Sequence, residues 1–248
     1  MAADQEKRKI MKQVVVIKNN SIWKKVSYVI CSIFIALFLS LFAFIFSHQY
    51  FPVTGQSMYP TINANGFDED GVYVNPFNKG SYGEIIVAKN KSNTTVIKRL
   101  LGLEGDIIGF VEEDDGVYYY RIPAGTPKKE YENNLKNYKV IEPYVHDIEG
   151  NKSQKSIFEN MLLDTDSENV VYVYDRTELY MYKFYKVPED SIFIMGDNRG
   201  AGHTTDSAEY GALPVANIIG KVDYLVKNNY WQVFDIILKI ITFKGSNI

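Results

Sequence analysis

The chain opens with one long block of apolar residues and continues as short apolar runs set between polar ones. Residues 26–46, VSYVICSIFIALFLSLFAFIF, are 21 consecutive residues without a charge. At about 1.5 Å per residue, a helix of that length covers the roughly 30 Å hydrocarbon core of a bilayer. A secretory leader carries a shorter apolar region of about 7–15 residues and ends in a small-residue cleavage site. Here FSHQYFP follows, with no A-x-A pattern, so the segment reads as a retained transmembrane anchor. From residue 53 the pattern becomes GVYVN, EIIVAKN, TTVIKRLLG, DIIGFV, GVYYYR, NVVYVYD, LYMYKFY, SIFIMGDN and IGKVDYLV. Runs so rich in Val, Ile, Tyr and Phe predict β-strands. NKGSYG at 78–83 and NKSNTT at 90–95 read as connections between paired strands.

Two stretches depart from this texture. Residues 112–169 are rich in Glu, Asp, Asn and Lys and predict a solvent-facing variable insertion, with one helical period around KSIFENMLLD at 155–164. The tail YWQVFDIILKIITFK, 230–244, places Asp235 and Lys239 on one helical face and Trp231, Phe234, Leu238 and Ile241 on another. It suits a helix in the membrane interface or one packed on a core. The expected organisation is a basic N-terminus at 1–25, a transmembrane helix at 26–46, an all-β domain at 50–229 and an amphipathic tail at 230–248.

Charge orients the anchor. Residues 1–25 hold Lys7, Arg8, Lys9, Lys12, Lys18, Lys24 and Lys25 against Asp4 and Glu6, whereas beyond the anchor no Lys or Arg occurs before Lys79. The positive-inside bias puts the N-terminus in the cytoplasm and the β domain outside, as in a single-pass cell-membrane protein. The whole chain of 248 residues has a net charge of −3, so the part beyond the anchor is acidic. That balance argues against nucleic acid as a partner and leaves the lipid bilayer. Cys31, the only cysteine, lies inside the anchor, so any nucleophile in the outer domain is a hydroxyl or an amine. His48, His146 and His203 are too scattered to suggest a metal site, and neither metal nor cofactor is expected.

The candidate chemistry sits just beyond the anchor, in VTGQSMYPTI at 53–62. A serine hydroxyl is a poor nucleophile until a base takes its proton. No histidine stands in a recognisable hydrolase context and there is no G-x-S-x-G elbow. VIKRLLGLEGD offers instead Lys98 among Val96, Ile97, Leu100 and Leu101, where strand alternation groups it with Val96 and Leu100. A strand lysine is commonly a solvated charge. If that face is interior, desolvation lowers the amine's pKa by up to about 3–5 units and makes it a usable base.

Four stretches occur in order after the anchor: GQSMYPTI, YGEIIVAK, VIKRLLGLEGDII and PEDSIFIMGDNRGAGHTTDSAEYG. Together they resemble the sequence boxes of bacterial type I signal peptidases, over roughly residues 26–226, with no contribution from 112–169. The resemblance implies a membrane-anchored Ser/Lys endopeptidase with a barrel-like all-β catalytic core, which removes signal peptides from exported preproteins at the outer membrane face. By position, Ser57 would be the nucleophile and Lys98 the general base. Met58 would line a small pocket, so that substrates carry alanine-sized residues at −1 and −3. The backbone N–H of Ser57 would serve as oxyanion donor. Gly55 stands where some relatives have a further hydroxyl, and would allow close approach of substrate backbone.

The last box supplies the supporting residues Asp197, Asn198, Arg199, Thr204, Asp206 and Ser207, and it departs from the family pattern. GDNR is followed by GAGH and then TTDSA, two residues longer than the typical spacing. Thr204 replaces a serine that hydrogen-bonds the lysine, and Ala208 replaces an arginine that would pair with Asp206. Arg199 is the substitute this segment offers. Histidine-using relatives carry their histidine at the position of Lys98, so His203 reads as a loop residue. Three other readings exist. A self-cleaving stress-response repressor is opposed by the anchor; a specialised homologue for pilus or surface-polymer assembly fits the altered loop; a non-catalytic binding module would keep its activity without Ser57.

Overall fold

The N-terminal segment forms one helix, α1 (Ala2–Ser47), in which the basic residues continue straight into the apolar ones. The apolar part, Ile22–Ser47, has 26 residues and a mean hydropathy of 2.9. At about 1.5 Å per residue it is about 39 Å long, more than a hydrocarbon core requires. Phe34, Phe38 and Phe46 stand exposed along it, as suits a helix whose solvent is lipid rather than a protein core. The computed structural model describes residues 2–64, 70–145, 148–200 and 205–227. The tail at 230–248, His146, His203 and Thr204 lie outside these residues.

Eleven strands follow among the described residues: β1 (Gln49–Pro52), β2 (Gly71–Asn75), β3 (Ile85–Lys89), β4 (Thr95–Gly102), β5 (Ile107–Glu113), β6 (Gly116–Ile122), β7 (Val170–Asp175), β8 (Tyr180–Lys186), β9 (Ser191–Met195), β10 (Leu213–Pro214) and β11 (Ile218–Val226). The nine apolar runs predicted as strands coincide with β2–β9 and β11. The other two, QYFP and LP, are too short to signal a strand. Seven strands build an antiparallel sheet in the order β1-β2-β11-β3-β4-β9-β10, curled into a half-barrel. Four more build a second antiparallel sheet, β6-β5-β8-β7. The domain beyond α1 is built mainly of β-sheet, as its sequence predicts.

Burial explains the strand patterns. IIVAK of β3 is buried at four successive positions, because β3 lies inside the larger sheet with a cluster on each face. One cluster joins Met58 and Ile62 to Ile85 and Val87; the other joins Ile86 and Ala88 to Leu100, Ile194 and Leu213. At about 25 cal/mol per Å² of apolar surface, such burial is what fixes strand register and holds loops attached to it.

Residues 112–169 are not the solvent-facing insertion their polarity predicts. They hold the end of β5, all of β6, a short helix α2 (Lys128–Asn133) and a longer one, α3 (Ile148–Leu163). Phe158, Met161 and Leu162 of α3 pack with Tyr119 of β6 and with Phe193 and Met195 of β9 in the cluster between the sheets. Asn151, Gln154, Phe158, Met161 and Leu162, all buried, recur at three- and four-residue spacing and form one helical face. The other face is wet, so mean composition looks polar although the helix is part of the core. Phe158→Ala is expected to lower the unfolding free energy of the full chain by about 3–5 kcal/mol, measured by denaturant titration in detergent. No change would mean that α3 is a dispensable appendage.

Candidate active site

Ser57 lies in the loop between β1 and β2, and Lys98 lies in the middle of β4, opposite Ile86 of β3. The lysine Nζ is 2.6 Å from the serine Oγ, across 41 residues of sequence. Both side chains line a cleft of about 410 Å³, together with Phe51, Val53, Met58 and Ile97. Met58 is only 2% exposed, and it anchors the loop by packing into the cluster of Val53, Ile62, Val72 and Val74. A hollow of about 440 Å³ elsewhere contains Ser191 and Lys91, but Lys91 is exposed and donates to the Tyr210 carbonyl. A third, of about 630 Å³, runs between α3 and β8 and is lined by no serine or threonine.

Lys98 is 3% exposed. Burial lowers its pKa from the ordinary 10.5 to about 8, against the opposing charges of Asp206 and, less strongly, Asp197. At a pKa of about 8, about one lysine in ten is neutral at pH 7, against about one in three thousand at the ordinary value. A neutral amine at hydrogen-bond distance from a hydroxyl can accept its proton, and that is the geometry a general base requires.

The supporting residues divide into three groups. Asp197 is buried and accepts from Arg99, with Nε to Oδ1 at 2.8 Å and Nη2 to Oδ2 at 2.6 Å. The same Oδ2 accepts from the Thr61 hydroxyl at 2.6 Å. One carboxylate thus ties β4, beside Lys98, to the loop of Ser57. Asn198 grips that loop as well: its N–H donates to the Ser57 carbonyl at 3.1 Å and its Nδ2 to the Gln56 carbonyl at 3.1 Å. Gly55 sits at φ +88°, in the left-handed region that glycine occupies without strain, and its carbonyl accepts from Asn63 Nδ2 at 2.9 Å.

The second group holds the loop after β9. Asp206 accepts from the Gly196 and Ala208 N–H groups, both at 3.1 Å, and caps the short helix α4 (Ser207–Tyr210). Ser207 is fully buried, and its hydroxyl accepts from the Ile194 N–H at 3.0 Å, fastening α4 to β9. The third group corrects an expectation: Arg199 does not pair with Asp206. Its guanidinium is fully buried against Glu142 and donates to Asn151 Oδ1 at 3.0 Å and to the Gly196 carbonyl at 2.8 Å. Backbone amides satisfy Asp206 instead. Arg199 therefore braces this loop against Glu142 and Asn151.

Arg99, Thr61 and Glu142 are site-building residues that sequence reasoning passed over. Arg99 carried a signal, since a cation inside the apolar run VIKRLLG demands a buried partner. It also donates to the Gly83 carbonyl at 2.7 Å and stacks 3.8 Å from the Tyr144 ring centre. Thr61 and Glu142 sit in polar or mixed stretches where nothing distinguishes them from surface residues.

Comparisons with known proteins show the family. The sequence model of the family described as "Signal peptidase, peptidase S26" matches residues 26–227. A protein named signal peptidase I from Buchnera aphidicola subsp. Baizongia pistaciae is 26% identical, over 84% of this chain and 80% of that one. The signal peptidase I of Aquifex aeolicus is 29% identical, over 75% of this chain and 80% of its own length. A crystal structure of a signal peptidase I from Enterococcus faecalis covers 58% of this chain and 96% of that one at 21% identity, with a TM-score of 0.31. That score is too low to bear on the fold, which rests on the sheets described above.

The depressed lysine pKa has a thermodynamic signature. Unfolded, the amine holds its proton up to about pH 10.5; folded, it releases it near 8. Below pH 8 the native state therefore carries a penalty of about 3 kcal/mol, relieved as pH rises from 8 to 10.5. Lys98→Met is expected to stabilise the protein by about that amount at pH 7, with the gain vanishing toward pH 10.5. Chemical denaturation of both proteins across this range measures it; a pH-independent difference would mean that Lys98 keeps an ordinary pKa.

Proposed function

The chain belongs to the signal peptidase family, peptidase S26, whose enzymes cleave signal peptides, and from that premise we propose how it performs the cleavage. Ser57 is the nucleophile and Lys98 its general base. The observation that carries this reading is the 2.6 Å approach of the two groups in a setting where burial brings the lysine pKa to about 8.

The neutral Nζ takes the Ser57 proton as Oγ bonds to the scissile carbonyl carbon. The carbonyl π electrons move onto oxygen, where the Ser57 N–H receives the developing charge. Collapse of the adduct breaks the C–N bond, and the Lys98 ammonium gives its proton to the departing amine. Water then attacks the acyl-serine, Lys98 taking its proton, and Ser57 is regenerated by proton return from Lys98. Met58, buried and facing the cleft, limits the side chain before the cut; together with the family resemblance this supports preproteins with small residues at −1 and −3. The apolar helix and the basic flank before it support an anchored enzyme with its β domain outside. Anchoring holds the cleft near the bilayer, where the substrate's cleavage site emerges from its own apolar segment, and raises local concentration.

Full-length protein in detergent, mixed with a preprotein, tests the assignment. Ser57→Ala and Lys98→Met are each expected to reduce cleavage by at least about 10³-fold while remaining folded. For the unaltered enzyme, kcat/KM is expected to rise with pH and level off above about 8, as the free base forms. Cleavage that survives loss of Lys98, or a rate indifferent to pH between 6 and 9, would rule out the amine as base.

A further inference from the structure

The anchor is not a loose tether. Among the described side chains of α1, Phe44 in its last turn is the one that is buried. Its ring packs edge-on to Tyr73 of β2 at 5.1 Å and to Tyr224 of β11 at 5.6 Å, and stacks on His48 at 4.4 Å. Tyr73 is the register partner of both Tyr50 on β1 and Tyr224 on β11, so three adjacent strands present one rung of tyrosines to the helix end. His48 completes the joint. One ring nitrogen is 2.8 Å from Ser47 Oγ and the other 3.1 Å from Asp223 Oδ2. The same carboxylate oxygen accepts from Asn75 Nδ2 at 3.1 Å.

Asp223 reaches His48 because the ladder is irregular there. Between β11 and β2 the register passes from Val222↔Val74 to Tyr224↔Tyr73, which makes Asp223 an extra residue, a β-bulge. Bulges re-aim a side chain at the expense of a paired rung, and this one lies in an interior strand rather than at a sheet edge. The clamped end also leads straight into the site: β1 starts one residue after His48, and Phe51, Pro52, Val53 and Thr54 line the cleft of Ser57.

We infer that Phe44, His48 and Asp223 are positioning residues that fix the height and tilt of the Ser57 cleft relative to the membrane, and so favour scissile bonds presented by a membrane-inserted substrate. The inference rests on Ser57 and Lys98 being the catalytic pair. A rigid joint matters for that substrate because both reactants are held in one bilayer, where a misplacement of about 1 Å can cost up to about 10²-fold in rate. A freely diffusing peptide adjusts to any cleft orientation and does not sense the joint.

The test uses the full chain in vesicles of phosphatidylethanolamine and phosphatidylglycerol, with two substrates: a membrane-inserted preprotein and a soluble peptide spanning the same cleavage site. Phe44→Ala, His48→Ala and Asp223→Ala are each expected to lower kcat/KM on the preprotein about tenfold and to leave the peptide within about twofold. His48→Gln, which keeps a donor toward Asp223, is expected to recover most of the loss. Equal losses on both substrates, or none on either, overturn the clamp and leave catalysis by Ser57 standing. If the unaltered chain cuts neither substrate, the catalytic assignment fails, and the clamp falls with it.

Discussion

The candidate site depends on keeping one amine short of water beside a hydroxyl without letting a carboxylate hold it charged. Two carboxylates, Asp197 and Asp206, act on Lys98, and each favours its ammonium form. Asp197 is largely spent on Arg99, which takes both of its oxygens. Among the described residues Asp206 is paired with no cation and accepts from two backbone amides. Of the two, Asp206 opposes deprotonation more strongly than Asp197. Desolvation exceeds both. The lysine's basicity is a balance between how completely the sheet excludes water and how completely Arg99 occupies its neighbour.

That balance requires rigidity, and the topology supplies it. Lys98 and Arg99 are adjacent on β4, so alternation sends the two cations to opposite sides of the strand. One side gives an amine facing Ser57; the other gives a guanidinium that locks Asp197 and, through it, Thr61 of the Ser57 loop. A buried ion pair of this kind gives little net stability, since desolvation offsets the attraction, but breaking it leaves an unpaired charge at a cost of about 3–5 kcal/mol. Its role is to make the relative placement of loop and strand unique. Asn198 adds a second fastening to the same loop from β9's side.

The strands were legible in the sequence because they depend on local pattern, and the same pattern made Lys98 a candidate. IIVAK and VIKRLLG announce buried strands, and a lysine inside such a run is conspicuous. The meeting of Lys98 with Ser57 at 2.6 Å was not legible from pattern; it came from resemblance to a family. Residues 112–169 misled because an amphipathic helix that buries Phe158, Met161 and Leu162 on one side averages to a polar composition. Arg199 misled for a related reason. Charge complementarity within one loop favoured Asp206, whereas the fold delivered Glu142 from a segment 57 residues away. Long-range partners of buried charges are set by topology, and a single sequence does not encode them in any short-range signal.

The altered loop after β9 bears on how much of a family's machinery its chemistry needs. Ala208 stands where the family resemblance would put an arginine, and it offers Asp206 no cation. The carboxylate has not been left bare: two N–H groups cap it, one of them from Ala208 itself, and Ser207 pins the turn to Ile194. Amides can hold a carboxylate in place as firmly as an arginine does, but they carry no net charge and shield its field less. The substitution therefore preserves geometry while leaving Asp206 free to act on Lys98. It is burial, rather than a neighbouring cation, that lowers the Lys98 pKa.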